Sequence, residues 1–333
     1  MSREDNTYAM IAFVSGIMVT VAAMILAIFI AVQRPVVVVV GSAQPAGGSP
    51  SAAPATQPAG AAVAAVSTPG EISAARVPAV PALANIYDPA WDRVPAVDLP
   101  LQPQAIAMPT LDTPTIPSVT VQSLHDSTHI AFRLSWPAAQ PSANVDVDRF
   151  TDAVAVQFAP DPTTPFMMGA AGKPVRILHW KALWQKDLDE GFQDVQKLHP
   201  NFWVDSYWFA EGKFPFPMTD SFKDPVSQQW LIAHSAGNPM ANYQRKQPVE
   251  ELVAEGFGSA THLANSSASA RGSWKNGRWT VVIDRPYTPN DPLSSSVQPG
   301  QTGVIAFAVW DGSAANVGGR KHYCTWVPLK VQP

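Results

Sequence analysis

One cysteine, Cys324, is all the thiol chemistry in 333 residues. That scarcity excludes an internal disulfide and any zinc or iron–sulfur site that this chain alone would build from cysteines. No C-x-x-C-H occurs, so covalent c-type haem attachment is excluded as well. Positive charge is also short, with 22 Lys plus Arg against 26 Asp plus Glu and a net charge of -4. Without a basic surplus to neutralise phosphates, nucleic-acid binding is set aside. Missing too are the G-x-S-x-G elbow, the phosphate-cradling P-loop, the dinucleotide fingerprint and any paired-carboxylate motif, so no independent catalytic centre is supported.

Proline, by contrast, is abundant at 33 residues, and most of the excess precedes residue 120. Ahead of it, residues 8–32 form an uncharged, largely apolar run flanked by Arg3 and Arg34. At about 1.5 Å per residue the run is long enough to cross a bilayer, and it exceeds the apolar core of an ordinary signal peptide. Residues 1–34 are therefore expected to be a single transmembrane anchor. Residues 35–84 read as a linker: after a run of valines, Ala, Pro, Gly, Ser, Val and Gln dominate, and these cannot bury a core. Residues 85–333 are left as one globular domain.

In that domain, apolar and polar residues alternate at 118–124, 128–136, 152–159, 175–180, 272–284 (split by the turn Lys275-Asn276-Gly277), 303–310 and 322–331. Many short strands with few helical patterns predict a mainly β fold, an antiparallel β-sandwich with a barrel as second choice. The stretch V-E-E-L-V-A-E-G at 249–256 predicts a short helix with its acids in solvent. A long insertion, 183–247, is rich in aromatics, including Trp184, Trp203, Trp208 and Trp230. A segment of this kind either folds over a site or is covered by a partner.

Two stretches carry candidate chemistry. The first, P-F-M-M-G-A-A-G-K-P-V-R-I-L-H-W-K-A at 165–182, places Met167 and Met168 in a Gly/Pro loop just before a strand. On residue type alone those methionines are core filler or a thioether metal ligand. The second, G-V-I-A-F-A-V-W-D-G-S-A-A-N-V-G-G-R-K-H-Y-C-T-W-V-P-L at 303–329, contains Trp310, Arg320 and Lys321. His125, His129, His179 and His199 are further possible iron ligands. Arg176, Lys181 and Arg320 are possible partners for cofactor carboxylates, or simply strand charges. Trp180 and Trp310 are candidate aromatic contacts.

Taken together and in order, these stretches resemble the haem b (gamma) subunit of type II dimethyl sulfoxide reductase family molybdoenzymes. Further matches lie in L-W-Q-K-D, E-L-V-A-E-G-F-G and G-S-W-K-N-G-R-W-T-V-V. The resemblance implies one non-covalent haem b, held by a methionine before a glycine and a lysine near the chain end. The matching positions are Met168 and Lys321, with Met167 an alternative sulfur and His179 an alternative nitrogen. Two strong axial ligands leave no open site, which implies an electron carrier and no catalysis by this chain. Also implied are an iron–sulfur subunit and a molybdenum catalytic subunit as partners, a quinone-reactive protein or cytochrome c completing the circuit, and placement of the haem domain on the periplasmic side of a membrane. The G-F-Q-D-V-Q-K-L-H-P-N-F-W-V-D stretch looks most like nitrite oxidoreductase or nitrate reductase gamma subunits. The competing expectation is a tethered β-sandwich that binds carbohydrate through exposed tryptophans and carries no haem.

Overall fold

The computed structural model describes residues 70–202, 225–288 and 296–333, all within the unit Ala65–Pro333. Alternating apolar residues build its strands, in chain order β1 (Ile72–Arg76), β2 (Val97–Pro100), β3 (Gln102–Pro103), β4 (Ser118–His125), β5 (His129–Pro137), β6 (Ala153–Ala159) and β7 (Val175–Lys181), then β8 (Val249–Ala254), β9 (Thr261–His262), β10 (Ser269–Lys275), β11 (Arg278–Pro286), β12 (Thr302–Trp310), β13 (His322–Tyr323) and β14 (Val327–Val331). One helix of nine residues, α1 (Ala182–Glu190), follows β7 directly and ends at Gly191, whose φ of 85° suits only glycine. Among the described residues no helix is long and apolar enough to cross a membrane; the expected anchor at 1–34 lies outside them.

Hydrogen bonding runs without a break through β10-β11-β5-β4-β1-β14-β12-β6-β7-β8-β9, with β2, β3 and β13 attached at the side. The sheet is mixed, which corrects the expectation of purely antiparallel sheets, because β1 pairs parallel with both β14 and β4. The same strand corrects the linker boundary. Residues 72–76 lie inside the stretch read as an Ala/Pro linker, yet Ile72 and Ala74 are fully buried between their neighbours. Composition concealed the strand because small residues suit a position crowded from both sides.

The sheet curls over one core. Trp136 on β5 and Trp279 on β11 are cross-strand partners and Trp180 on β7 is distant from both in strand order, yet the three rings lie 5.1–6.4 Å apart. Gly272 on β10 leaves room for this, since a Cβ there would run into the Trp180 indole. Asp152 knits the ends together, accepting from Trp279 Nε1 at 2.8 Å, Ser142 N at 2.7 Å and Gly312 N at 2.8 Å.

The helix expected at 249–256 is instead strand β8. Glu255 is exposed as expected, but Glu250 and Glu251 are buried, not solvated: Glu251 pairs with Arg285 at 3.4 Å, and Glu250 meets two histidines. The partners come from β7, β9 and β11, so nothing local in V-E-E-L-V-A reveals them. An open edge on β7 decides the conformation. Of the aromatic insertion, residues 203–224 lie outside the described residues. Its Trp184 is buried in α1 beneath Arg245, 4.2 Å from the ring, and Lys181, 5.1 Å away.

Candidate functional site

Strands β12, β6, β7 and β8 bury one face in the core and turn the other toward a cleft. On β6 the cleft side carries Ala153, Ala155, Gln157 and Ala159; on β12 it carries Val304, Ala306, Ala308 and Trp310. Pairing sets these in rows: Tyr323, Ala308, Ala155, His179 and Glu250 form one, and Ala306, Gln157, Ile177 and Leu252 the next. Three alanines therefore make a low floor against which a flat molecule can lie close to the sheet. About 960 Å³ of free space, open mouth included, stands above it. Larger side chains form the walls: Phe166, Met167, Met168, Phe257, Trp310, Lys321 and Tyr323.

The loop bearing the methionines is fastened from several directions. Gln157 Nε2 donates to Phe166 O at 2.9 Å, and Gly256 N donates to Met168 O at 2.7 Å. The Phe166 ring stacks on Tyr323 at 5.4 Å and meets Trp326 edge-on at 5.8 Å. These ties hold Met168 at a φ of 61° and Gly169 at 77°. A left-handed methionine is uncommon and costs energy that the surrounding contacts must supply. Met168 is half-buried, whereas Met167 is exposed.

Lys321 reaches the cleft from the segment before β13. Its ammonium sits 5.4 Å from the Trp310 ring, and among the described residues no carboxylate pairs with it. Burial alone pushes its pKa below the ordinary lysine value. His322, one residue on, points the other way: its Nδ1–H donates to Val309 O at 3.3 Å and its Nε2 accepts from Thr115 N at 2.9 Å.

His179 also lines the cleft. Its Nδ1 lies 3.1 Å from Glu250 Oε1, while Glu250 Oε2 lies 2.9 Å from His262 Nδ1. Burial, with Lys181 nearby, pushes its pKa down to about 4 despite the Glu250 carboxylate, so the ring is neutral at neutral pH.

Met167, Met168, His179, Trp310 and Lys321 thus meet in one cleft. The remaining candidates do not join them. Arg176 and Trp180 occupy the opposite face of β7, because side chains alternate along a strand; Trp180 is spent on packing. Lys181 is on the cleft side but lies over Trp184. Arg320 is exposed, beside Met108 and Thr110 at a separate surface hollow. His125, His129 and His199 lie elsewhere: His125 is buried against Tyr287, His129 sits at the β4–β5 turn, and His199 pairs with Asp146 at 3.0 Å. Sequence reasoning missed Glu250, His262, Phe257 and the alanine floor. Only the floor left a local signal, as alanines recurring two residues apart at 153 and 155 and at 306 and 308 in A-V-A-V-Q-F-A and A-F-A-V-W.

Fold and cleft define a mainly β protein with an apolar, alanine-floored cleft on its sheet. The chain belongs to the ethylbenzene dehydrogenase family, whose model matches residues 88–322. It is similar to ORF7 of Haloferax mediterranei, named as the proposed heme subunit of a respiratory nitrate reductase, with 25% identity over 247 residues covering 73% of this chain and 67% of that one. Among solved structures it is similar to a family 9 carbohydrate binding module from Caldicellulosiruptor kristjanssonii in complex with glucose, with TM-score 0.37, 9% identity and coverage of 79% of this chain and 96% of that one. A proposed carbohydrate-binding protein from Bacteroides uniformis gives TM-score 0.40 at 8% identity, covering 80% and 100%.

Proposed function

We propose that this chain is the haem-carrying electron-transfer subunit of a molybdoenzyme complex, itself without catalytic activity. The observation that carries the reading is the meeting of Met168 and Lys321, 153 residues apart in sequence (321 less 168), in one apolar cleft with a floor of alanines. The residues fit the group. Met168 offers a soft, neutral sulfur, and burial favours the uncharged Lys321 amine that a metal requires. The alanine floor accepts a planar ring, and the apolar walls exclude water. A haem bound there supplies a one-electron couple, and two protein ligands leave it no vacant position for substrate. The protein's part is to hold the ring dry and to present sulfur and nitrogen.

In this reading the group would be a single haem b, held by Met168 and Lys321. Held there, it would supply the one-electron link between an iron–sulfur subunit next to the molybdenum subunit and a quinone-reactive protein or cytochrome c. Family membership and the similarity to ORF7 support that setting, and nitrate reductase or nitrite oxidoreductase chemistry is the assignment we favour for the parent complex. Residues 1–34 would anchor the haem domain at the periplasmic face. Against the carbohydrate reading stands the burial of the tryptophans: among those described, Trp91, Trp136, Trp180, Trp184, Trp279 and Trp310 are buried, and Trp230 alone is exposed.

Full-length protein produced with haem in supply should show a low-spin Soret spectrum and one non-covalent haem b per chain by pyridine haemochrome assay. Met168→Ala and Lys321→Ala should each abolish the six-coordinate low-spin state, and Arg320→Ala should leave it intact. Absence of any Soret band in the wild type would sink the reading.

A further inference from the structure

Glu250 and the histidines it holds beside the cleft have no part in the proposed ligand pair. Glu250 stands directly across from His179 in the β7–β8 pairing and grips two imidazoles at once, His179 at 3.1 Å and His262 at 2.9 Å. Its side chain is 8% exposed, and His262 is 32% exposed on the outer side. Hydrogen bonds from the two histidines, with Lys181 nearby, outweigh burial and hold the Glu250 carboxyl below its ordinary pKa, so it is an anion.

An anionic carboxylate can only accept, so Nδ1 of His179 carries the proton and Nε2 carries a lone pair. That Nε2 is fully buried and has no hydrogen-bond partner among the described residues. The ring cannot turn to rescue it: Trp310 lies 5.0 Å away, Trp184 6.1 Å away, and Glu250 holds the other nitrogen. An acceptor kept dry and unsatisfied is costly, and such groups are retained where an occupant uses them. A carboxylate behind an imidazole also makes the outer nitrogen more basic, as it does behind metal-site histidines.

We propose that His179, Glu250 and His262 are positioning residues that tune the redox potential of the cleft's occupant. The buried Glu250 anion acts through the His179 lone pair to favour the oxidised, more positive state. This inference rests on the haem reading and goes beyond it, since the unit lies apart from the Met168 and Lys321 ligand pair. Other charges around His179 are Lys181 on its own strand and Lys321 across the cleft, with Arg245, paired to Asp187 at 3.4 Å in the segment before β8, within the field of Glu250. They remain the same in every variant below.

The test is spectroelectrochemical titration of haem-loaded full-length protein. Glu250→Gln should bind haem with wild-type stoichiometry yet raise the midpoint potential, moving the electron-transfer equilibrium about tenfold toward reduction, or roughly 59 mV for one electron. Glu250→Asp, which keeps the charge, should restore most of the wild-type value. His179→Ala removes the connecting ring and should shift the potential in the same direction as Glu250→Gln, so it serves if the latter fails to fold. Equal potentials in wild type, Glu250→Gln and His179→Ala would overturn this inference while leaving the haem reading standing. Loss of the low-spin spectrum in His179→Ala, with its retention in Lys321→Ala, would also overturn it by making His179 the iron ligand. A wild-type protein that takes up no haem would overturn both.

Discussion

Met168 and Gly169 hold consecutive left-handed conformations, and only one of them is a residue suited to it. A Cβ on Gly169 would lie 2.5 Å from the Lys173 carbonyl oxygen, besides straining the backbone at φ 77°. Gly169→Ala should therefore destabilise the protein by about 1–3 kcal/mol, visible as a lower urea midpoint, and weaken haem uptake through Met168. His179 gives a pH signature. Its folded pKa of about 4 lies below its unfolded value near 6.5, so the unfolded state binds a proton that the folded state refuses. The stability associated with neutral His179 is whole above about pH 6.5 and is lost as pH falls toward 4. Denaturation of haem-free protein across that window should show the decline, and His179→Gln should flatten it relative to wild type. The motif around Met168 was legible at this scale, because large apolar residues in a Gly/Pro loop are conspicuous. Glu250 was not, since its two partners arrive from other strands.

At the scale of elements, β6 and β12 define what the cleft admits. Ala155 lies between Ala308 and His179 in the central row of the floor. Ala155→Phe should fill the space above the sheet and abolish haem binding while far-UV circular dichroism stays unchanged; undiminished haem content would show that the occupant sits elsewhere. The strands themselves were largely readable, for β4, β5, β6, β7, β10, β11 and β12 all follow the period-two pattern. Besides the short β2, β3 and β9, two elements that shape the sheet escaped. β1 was hidden in Ala-rich sequence because its role is to fit between β14 and β4. β8 was taken for a helix because acids at 250 and 251 looked destined for water, although Arg285 and two histidines receive them inside. Burial supplied by distant partners overrides a local charge pattern.

Across the whole molecule, stability depends on the curl that brings Trp136, Trp180 and Trp279 together. Trp180→Ala should cost about 3–5 kcal/mol, read as a large drop in the urea midpoint. A cost below about 1 kcal/mol would show that the three indoles do not anchor the sheet. Most of the strands, the scarcity of thiol and positive charge, the family motifs and the two stretches that meet at the cleft were determined by sequence alone, because local periodicity and residue chemistry are written along the chain. Only the tertiary structure decided which residues of those stretches share a space. The curl and strand pairing place Met168, His179 and Lys321 together, turn Arg176 and Trp180 to the other face of β7, and bury Glu250 between two histidines. Strand pairing acts between segments far apart in sequence and decides which face of each strand meets the cleft, and no window of sequence contains both partners.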